Sequence, residues 1–202
     1  MSLARLGTRK PAAAPPVELA AVLRAATDRA HQELELSLDL LGREPDRQRF
    51  RRVLERFYGF HAVWEQAIRE REELRAFQEP RTRLPHLERD LAALGLPTAK
   101  LVDLPRCAAA RDLANGLPQA IGSIYVMEGS TLGGQVIARA LSGLDWVPPG
   151  GLAYFQPYGD RTGAMWRAFR AWADEMVPPQ DHALAAAGAQ RTFALLREWL
   201  TP

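Results

Sequence analysis

Three glycines interrupt what otherwise reads as one continuous helix. Ile124-Tyr-Val-Met-Glu128 runs directly into Gly129-Ser-Thr-Leu-Gly-Gly-Gln135. Each glycine costs a helix roughly 1 kcal/mol relative to alanine. A helix kept at that cost needs its backbone bare. Gly129 and Gly133 stand four residues apart and so share one face. Two occupants fit such a face: a planar cofactor lying on the main chain, or a neighbouring helix packed tightly against it. The glycines alone leave both open.

The rest of the chain limits the setting. At 202 residues it is long enough for one domain with a sizeable core. Apolar residues make up 47% and charged residues 25%, ordinary values for a globular protein. Lys+Arg 26 against Asp+Glu 24 leaves a net charge of +2, which gives no electrostatic footprint for nucleic acid. Lysine occurs only at Lys10 and Lys100, so arginine carries the basic charge; its planar fork suits carboxylates, and a GC-rich genome gives the same bias. Cys107 is the single cysteine, which rules out an internal disulfide and a thiolate metal cluster and fits a reducing cytoplasm. No apolar run has the length of a membrane span. Residues 1–16 carry Arg5, Arg9, Lys10 and an Ala-Pro tract without the apolar core of a signal peptide. They read as a disordered tail ahead of a helical domain over 17–202.

Helical periodicity runs through that domain, and no period-two alternation competes with it. A first helix is expected over Val17 to about Leu41, bending near Leu36. Asp46 is a plausible N-cap for a second helix reaching about Arg75. Its apolar stripe is Phe50, Val53, Leu54, Phe57, Phe60, Trp64, Ala67 and Ile68. A shorter helix near Leu84–Leu94 stops at Gly95 and Pro97. A linker over 96–105 and a helix over about Arg106–Asn115 follow. Pro118 opens the glycine-bearing helix, which ends near Leu141. Ser142–Pro157 reads as a loop, and two last helices cover about Thr162–Met176 and Asp181–Leu200, separated by Pro178-Pro179. The expected architecture is all-α, a bundle of about seven helices with ligands between facing helices.

Among the four histidines, 31, 61, 86 and 182, no pair has the spacing of a helical zinc site. No phosphate-binding glycine loop and no nucleophile elbow is present. His61 lies in the aromatic stretch Phe57-Tyr-Gly-Phe-His-Ala-Val-Trp64 and reads as packed there. His86 and His182 read as exposed near helix starts. His31 stands out by its neighbours. Arg24 lies nearly two turns earlier on the same face, roughly 10 Å away. Glu35 lies one turn later, in reach of a ring nitrogen. A lone helical histidine also serves as an ordinary structural or surface residue.

Taken together, two segments resemble the heme oxygenase family. Leu23, Arg24, Thr27, His31 and Glu35 match that family's proximal-helix pattern. Gly129, Gly133, Gly134 and Gln135 match its distal helix, where many members read Gly-Asp-Leu-Ser-Gly-Gly-Gln. Ser130 stands where many members place an aspartate that anchors proton-delivering waters. The version Glu-Gly-Ser-Thr-Leu-Gly-Gly-Gln is similar to the bacterial branch associated with bacteriophytochromes, which bind biliverdin.

The resemblance implies a heme oxygenase-like bundle that opens heme to biliverdin, carbon monoxide and ferrous iron, with heme as substrate and cofactor. It implies His31 as the axial iron ligand, and Gly129, Ser130 and Gly133 as the distal catalytic segment. Ser130, Thr131 or a carboxylate elsewhere would support proton delivery through ordered water. Arg24, Thr27, Glu35 and Gly134 fall on the cofactor side. Arg167 and Arg170 are further candidates for the propionates, or simply an exposed helix face. Phe193 packs near the ring or in plain core. The chain shows no flavin or nicotinamide motif, so an external reductase or ferredoxin is implied, and a bacteriophytochrome is a possible recipient of biliverdin. A non-enzymatic heme or biliverdin carrier on the same fold is the alternative, and a helical scaffold with glycines used only for packing is a third.

Overall fold

The computed structural model describes residues 18–42 and 46–201. The expected tail over 1–16, Val17 and Pro202 lie outside them. Among the described residues the regular structure is entirely helical, with no strand. Seven α-helices make the frame: α1 Leu19–Leu38, α2 Arg47–Glu70, α3 Glu72–Gln78, α4 Leu84–Ala93, α5 Leu117–Leu141, α6 Thr162–Met176 and α7 His182–Leu200. Short 3-10 turns fill several connections, including Ala108–Ala114 and Ala153–Phe155.

The local signals act as the sequence leads one to expect. Asp46 caps α2, its carboxylate accepting from the backbone N–H groups of Gln48 and Arg49 at 3.2 and 2.9 Å. All eight apolar stripe residues of α2 are buried. Fully buried Phe60, Leu54 and Ile68 each contribute roughly 1.5–3 kcal/mol. Gly95 ends α4 at φ 88°, with Leu96 N donating to Leu91 O and Gly95 N to Ala92 O, a Schellman closure that a side chain would strain.

Three boundaries differ. α1 ends at Leu38, where Asp39 takes a left-handed conformation (φ 42°). α2 does not reach Arg75: the chain extends at Arg71, whose guanidinium donates to Ala114 O at 3.2 Å, and α3 restarts at Glu72. The helix expected over 106–115 is a 3-10 turn over Ala108–Ala114, preceded by Cys107, whose N–H donates to Gly59 O of α2 at 3.1 Å.

α5 is the axis of the bundle. Residues 120–124 and 126–128 along it are all buried, as expected of a helix surrounded by others. It crosses α7 at close range. A Cβ on Gly122 would stand 1.9 Å from Ala185 O, and one on Gly188 of α7 would stand 2.2 Å from Gln119 O. Trp64 of α2 donates to Ser123 Oγ of α5 at 2.7 Å, tying a third helix to the axis. α7 also packs along α1, while α1 and α5 scarcely touch each other. That gap is where the site lies.

Candidate functional site

A cavity of about 460 Å³ opens between α1 and α5. Its size is within the range of small-molecule and cofactor pockets. α1 contributes Arg24, Thr27, His31 and Glu35 to the wall, and α5 contributes Gly129, Ser130, Gly133 and Gly134. Trp166 of α6 and Phe193 of α7 close the side. The two sequence segments a hundred residues apart thus face each other across one space.

On the α1 wall, the His31 side chain is half exposed. Its Nε2 lies 3.5 Å from Glu35 Oε1, and its ring meets Phe193 edge-on at 5.7 Å. Phe193 is therefore both core, at 6% exposure, and part of the wall beside the imidazole. Thr27 is buried and donates to Leu23 O at 2.7 Å, one turn back along its own helix. Arg24 is exposed on the same face.

On the α5 wall, the glycines divide into two kinds. A Cβ on Gly133 would meet nothing within 4 Å, and one on Gly129 would meet only the edge of Trp166, at 3.9 Å. Both bare positions face open cavity. A Cβ on Gly134 would lie 2.5 Å from Phe155 O. Gly134 lets the 153–155 turn press against the helix. Ser130 donates to Met127 O at 2.8 Å, and Thr131 to Glu128 O at 2.7 Å.

The inner end of the cavity is polar. His61, Arg83 and Tyr154 line it. His61 is 1% exposed, with Nδ1 3.1 Å from Glu65 Oε1 and Nε2 3.2 Å from Tyr154 Oη. Arg83 donates to Glu128 Oε1 at 3.0 Å, and Tyr158 donates to the same oxygen at 2.7 Å. Behind this wall Asp90, buried on α4, accepts the backbone N–H groups of Ala153 and Tyr154, both at 2.8 Å. Burial pushes its carboxyl up to about 6, against those two hydrogen bonds. Asp90 thus holds the turn that carries Tyr154 and Phe155.

Arg167 and Arg170 are not in the cavity wall. Trp166 takes the inward position on α6, which turns the next residue, Arg167, outward. Arg170 is paired with Glu18 at the start of α1. His86 and His182 are half-buried. Nothing in the local sequence pattern singles out Glu65, Arg83, Asp90 or Tyr154 taken one at a time, and His61 reads there as packed. The usable signal was His61-Ala-Val-Trp-Glu65, two titratable residues one turn apart on a stripe that is otherwise apolar.

The donor set restricts what the cavity can hold. Among the described residues no three His, Cys, Asp or Glu side chains gather to bind a metal ion. A metal at His31 would need its other ligands from a non-protein group, as a porphyrin provides. A slot with one imidazole on one side and bare backbone on the other fits a flat macrocycle. Also among the described residues, no helix is long and apolar enough to cross a membrane.

Comparison with known proteins agrees with this geometry. Residues 17–202 match the heme oxygenase family profile. A heme oxygenase from Xanthomonas campestris pv. campestris (strain 8004) is 37% identical over 115 residues, which cover 56% of this chain and 64% of that protein. The fold is similar to heme oxygenase from Leptospira interrogans, with a TM-score of 0.76 at 20% identity over 92% of this chain and 99% of that one. It is also similar to heme oxygenase-1 from the cyanobacterium Synechocystis sp. PCC6803, solved in complex with heme, with a TM-score of 0.71 at 18% identity over 91% of each chain. With the profile spanning the whole helical domain, the chain belongs to the heme oxygenase family.

Proposed function

We propose that this protein opens the heme ring to biliverdin, releasing carbon monoxide and ferrous iron, with heme as both substrate and cofactor. The observation that carries the reading is the placement of Gly129 and Gly133, bare toward open cavity, across from His31. The heme, once bound, supplies the iron at which dioxygen is reduced.

The chain's own groups bind and orient. His31 would hold the heme iron through a ring nitrogen. Glu35, whose Oε1 lies 3.5 Å from Nε2 of that ring, is the carboxylate that would orient the imidazole. Phe193 fixes the ring's tilt from the side. Arg24, exposed on the same face, pairs with a propionate at the ring edge; Arg167 and Arg170, outside the wall, are not given that role. Thr27 keeps its hydroxyl on its own helix, so it presents a compact surface beneath the macrocycle. Gly129 and Gly133 leave the α5 backbone bare toward the cavity, so that a flat macrocycle would lie close against it. Gly134 sets that backbone by receiving the 153–155 turn. Ser130 keeps a small polar atom on this wall.

The reaction needs electrons from outside, since the sequence holds no flavin or nicotinamide motif; a reductase or ferredoxin supplies them. The cytoplasm is the compartment this reading assumes, and a bacteriophytochrome is the expected recipient of biliverdin. Ser130 in the place of an aspartate favours a second reading, a carrier that binds heme and leaves it intact. An aerobic absorbance time course of the hemin complex, with an electron donor and with catalase to remove free peroxide, separates them. Loss of the Soret band with growth of a broad red band is the expected result. A Soret band that persists supports the carrier, and a failure to form one removes both readings.

A further inference from the structure

Two hydrogen bonds in series connect a buried carboxylate to the inner wall of the cavity. Glu65 has no exposed surface. It receives the hydroxyl of Thr82 and the backbone N–H of Arg83, the latter at 2.7 Å, and it faces Nδ1 of His61. Burial alone would push its carboxyl up, but the hydrogen bonds from His61, Thr82 and Arg83 outweigh it, and the group lies below its ordinary value. Arg69 of the same helix adds a cation 3.6 Å away. An ionised carboxylate only accepts, so Nδ1 of His61 carries the hydrogen. Burial, helped by the Arg83 charge and opposed by Glu65, holds the imidazole below its ordinary value, which favours the neutral ring.

A neutral ring with its hydrogen on Nδ1 has a bare Nε2. Tyr154 therefore donates its phenol hydrogen to Nε2, 3.2 Å away. What Tyr154 turns to the cavity is then lone pairs only. The hydroxyls of Ser130 and Thr131 are also committed, but to neutral main-chain carbonyls. The Tyr154 chain ends on a charge, and charge-assisted hydrogen bonds in series polarise one another. Its oxygen is the stronger acceptor. Arg83 Nη1, in the same wall, is a buried donor without a protein partner. Such a group calls for water.

We propose that Tyr154 is a positioning residue, backed by His61 and Glu65, that anchors an ordered water at the inner end of the cavity and aims its free hydrogen at the reacting oxygen. The proposal rests on the ring-opening reading. Reduction of dioxygen takes up protons, and a mostly apolar pocket must present them from a fixed place. The water keeps one hydrogen on Tyr154 and donates through the other. A proton given up there is replaced from solvent through the open mouth.

Tyr154→Phe removes one oxygen and leaves the ring packed against Phe57 and Phe155, at 4.9 and 5.2 Å. The variant should bind hemin as tightly as the wild type and show an unchanged KM. Its turnover should fall by about tenfold or more. Glu65→Gln, which unlocks the His61 tautomer but keeps the phenol, should show a smaller loss in the same direction. Long-range 1H–15N NMR of the ligand-free wild type gives an independent readout: a neutral His61 with its hydrogen on Nδ1, and an Nε2 shift that moves in Tyr154→Phe. Turnover of Tyr154→Phe within about twofold of wild type, or a His61 hydrogen on Nε2, overturns the proposal. A wild type that binds hemin but never opens it overturns the ring-opening reading and this role with it, and the NMR result still decides the tautomer.

Discussion

Within the single helix α5 stand glycines of two kinds, in one place side by side. Gly122 and Gly134 have no side chain because another backbone is already there: Ala185 O at 1.9 Å and Phe155 O at 2.5 Å from where a Cβ would stand. Gly129 and Gly133 lack one although nothing in the fold occupies the space. The first pair is explained by packing. The second pair weakens the helix with no packing return, so its explanation lies in what enters the cavity. One residue type thus serves stability at the two outer positions and binding at the two between them, and the two uses are separable by substitution.

The largest effect is expected at a packed glycine. Gly122→Ala forces α5 away from α7, and neither backbone can yield locally. Chemical denaturation should show a loss of about 3 kcal/mol or more. Gly134→Ala meets a turn, which can shift, so its cost should be about 1–3 kcal/mol. At the open positions the sign reverses. Gly133→Ala should stabilise the ligand-free protein by up to about 1 kcal/mol, as glycine is replaced by a better helix former. The same variant should bind hemin more weakly in a Soret titration. Equal destabilisation by Gly122→Ala and Gly133→Ala would erase the distinction.

Asp90 sharpens the comparison because it holds the turn that presses on Gly134. Its carboxyl is pushed up to about 6, above the ordinary 3.8. Between those values the folded chain keeps a proton that the unfolded chain has lost. The stability this proton lends is complete at low pH and is lost as pH rises to about 6. The slope should reach up to ~1.4 kcal/mol per pH unit and vanish in Asp90→Asn. Asp90→Asn also leaves one of two backbone N–H groups unpaired, at about 1–3 kcal/mol. By loosening the turn it should reduce the further cost of Gly134→Ala, as a double-mutant cycle would show. The smallest effect is expected for Ser130→Ala, whose hydroxyl serves its own helix: stability within about 0.5 kcal/mol of wild type.

Legibility in the sequence followed the range of the interaction. The α2 stripe, the Asp46 cap and the Gly95 stop are local and could be read directly. The break at Arg71 could not, because no glycine, proline or cap marks it; a guanidinium reaching Ala114 O across the fold sets it. Two walls of the site were legible as separate helical motifs, His31 with Glu35 and the glycine segment. The inner wall was not. His61 and Glu65, Arg83 and Asp90, and Tyr154 come from three stretches, and only burial together makes them one network. The arginines of α6 misled because amphipathic spacing does not say which face turns inward; Trp166 occupies that face.

The open face at Gly133 is the feature on which binding depends most. The direct test is a hemin titration of Gly133→Leu, followed at the Soret band, on protein that melts like the wild type. A side chain projecting into the cavity should abolish the complex or weaken it by at least about tenfold. Wild-type affinity in a folded Gly133→Leu variant would contradict the account, and the bare backbone of α5 would then have no part in binding.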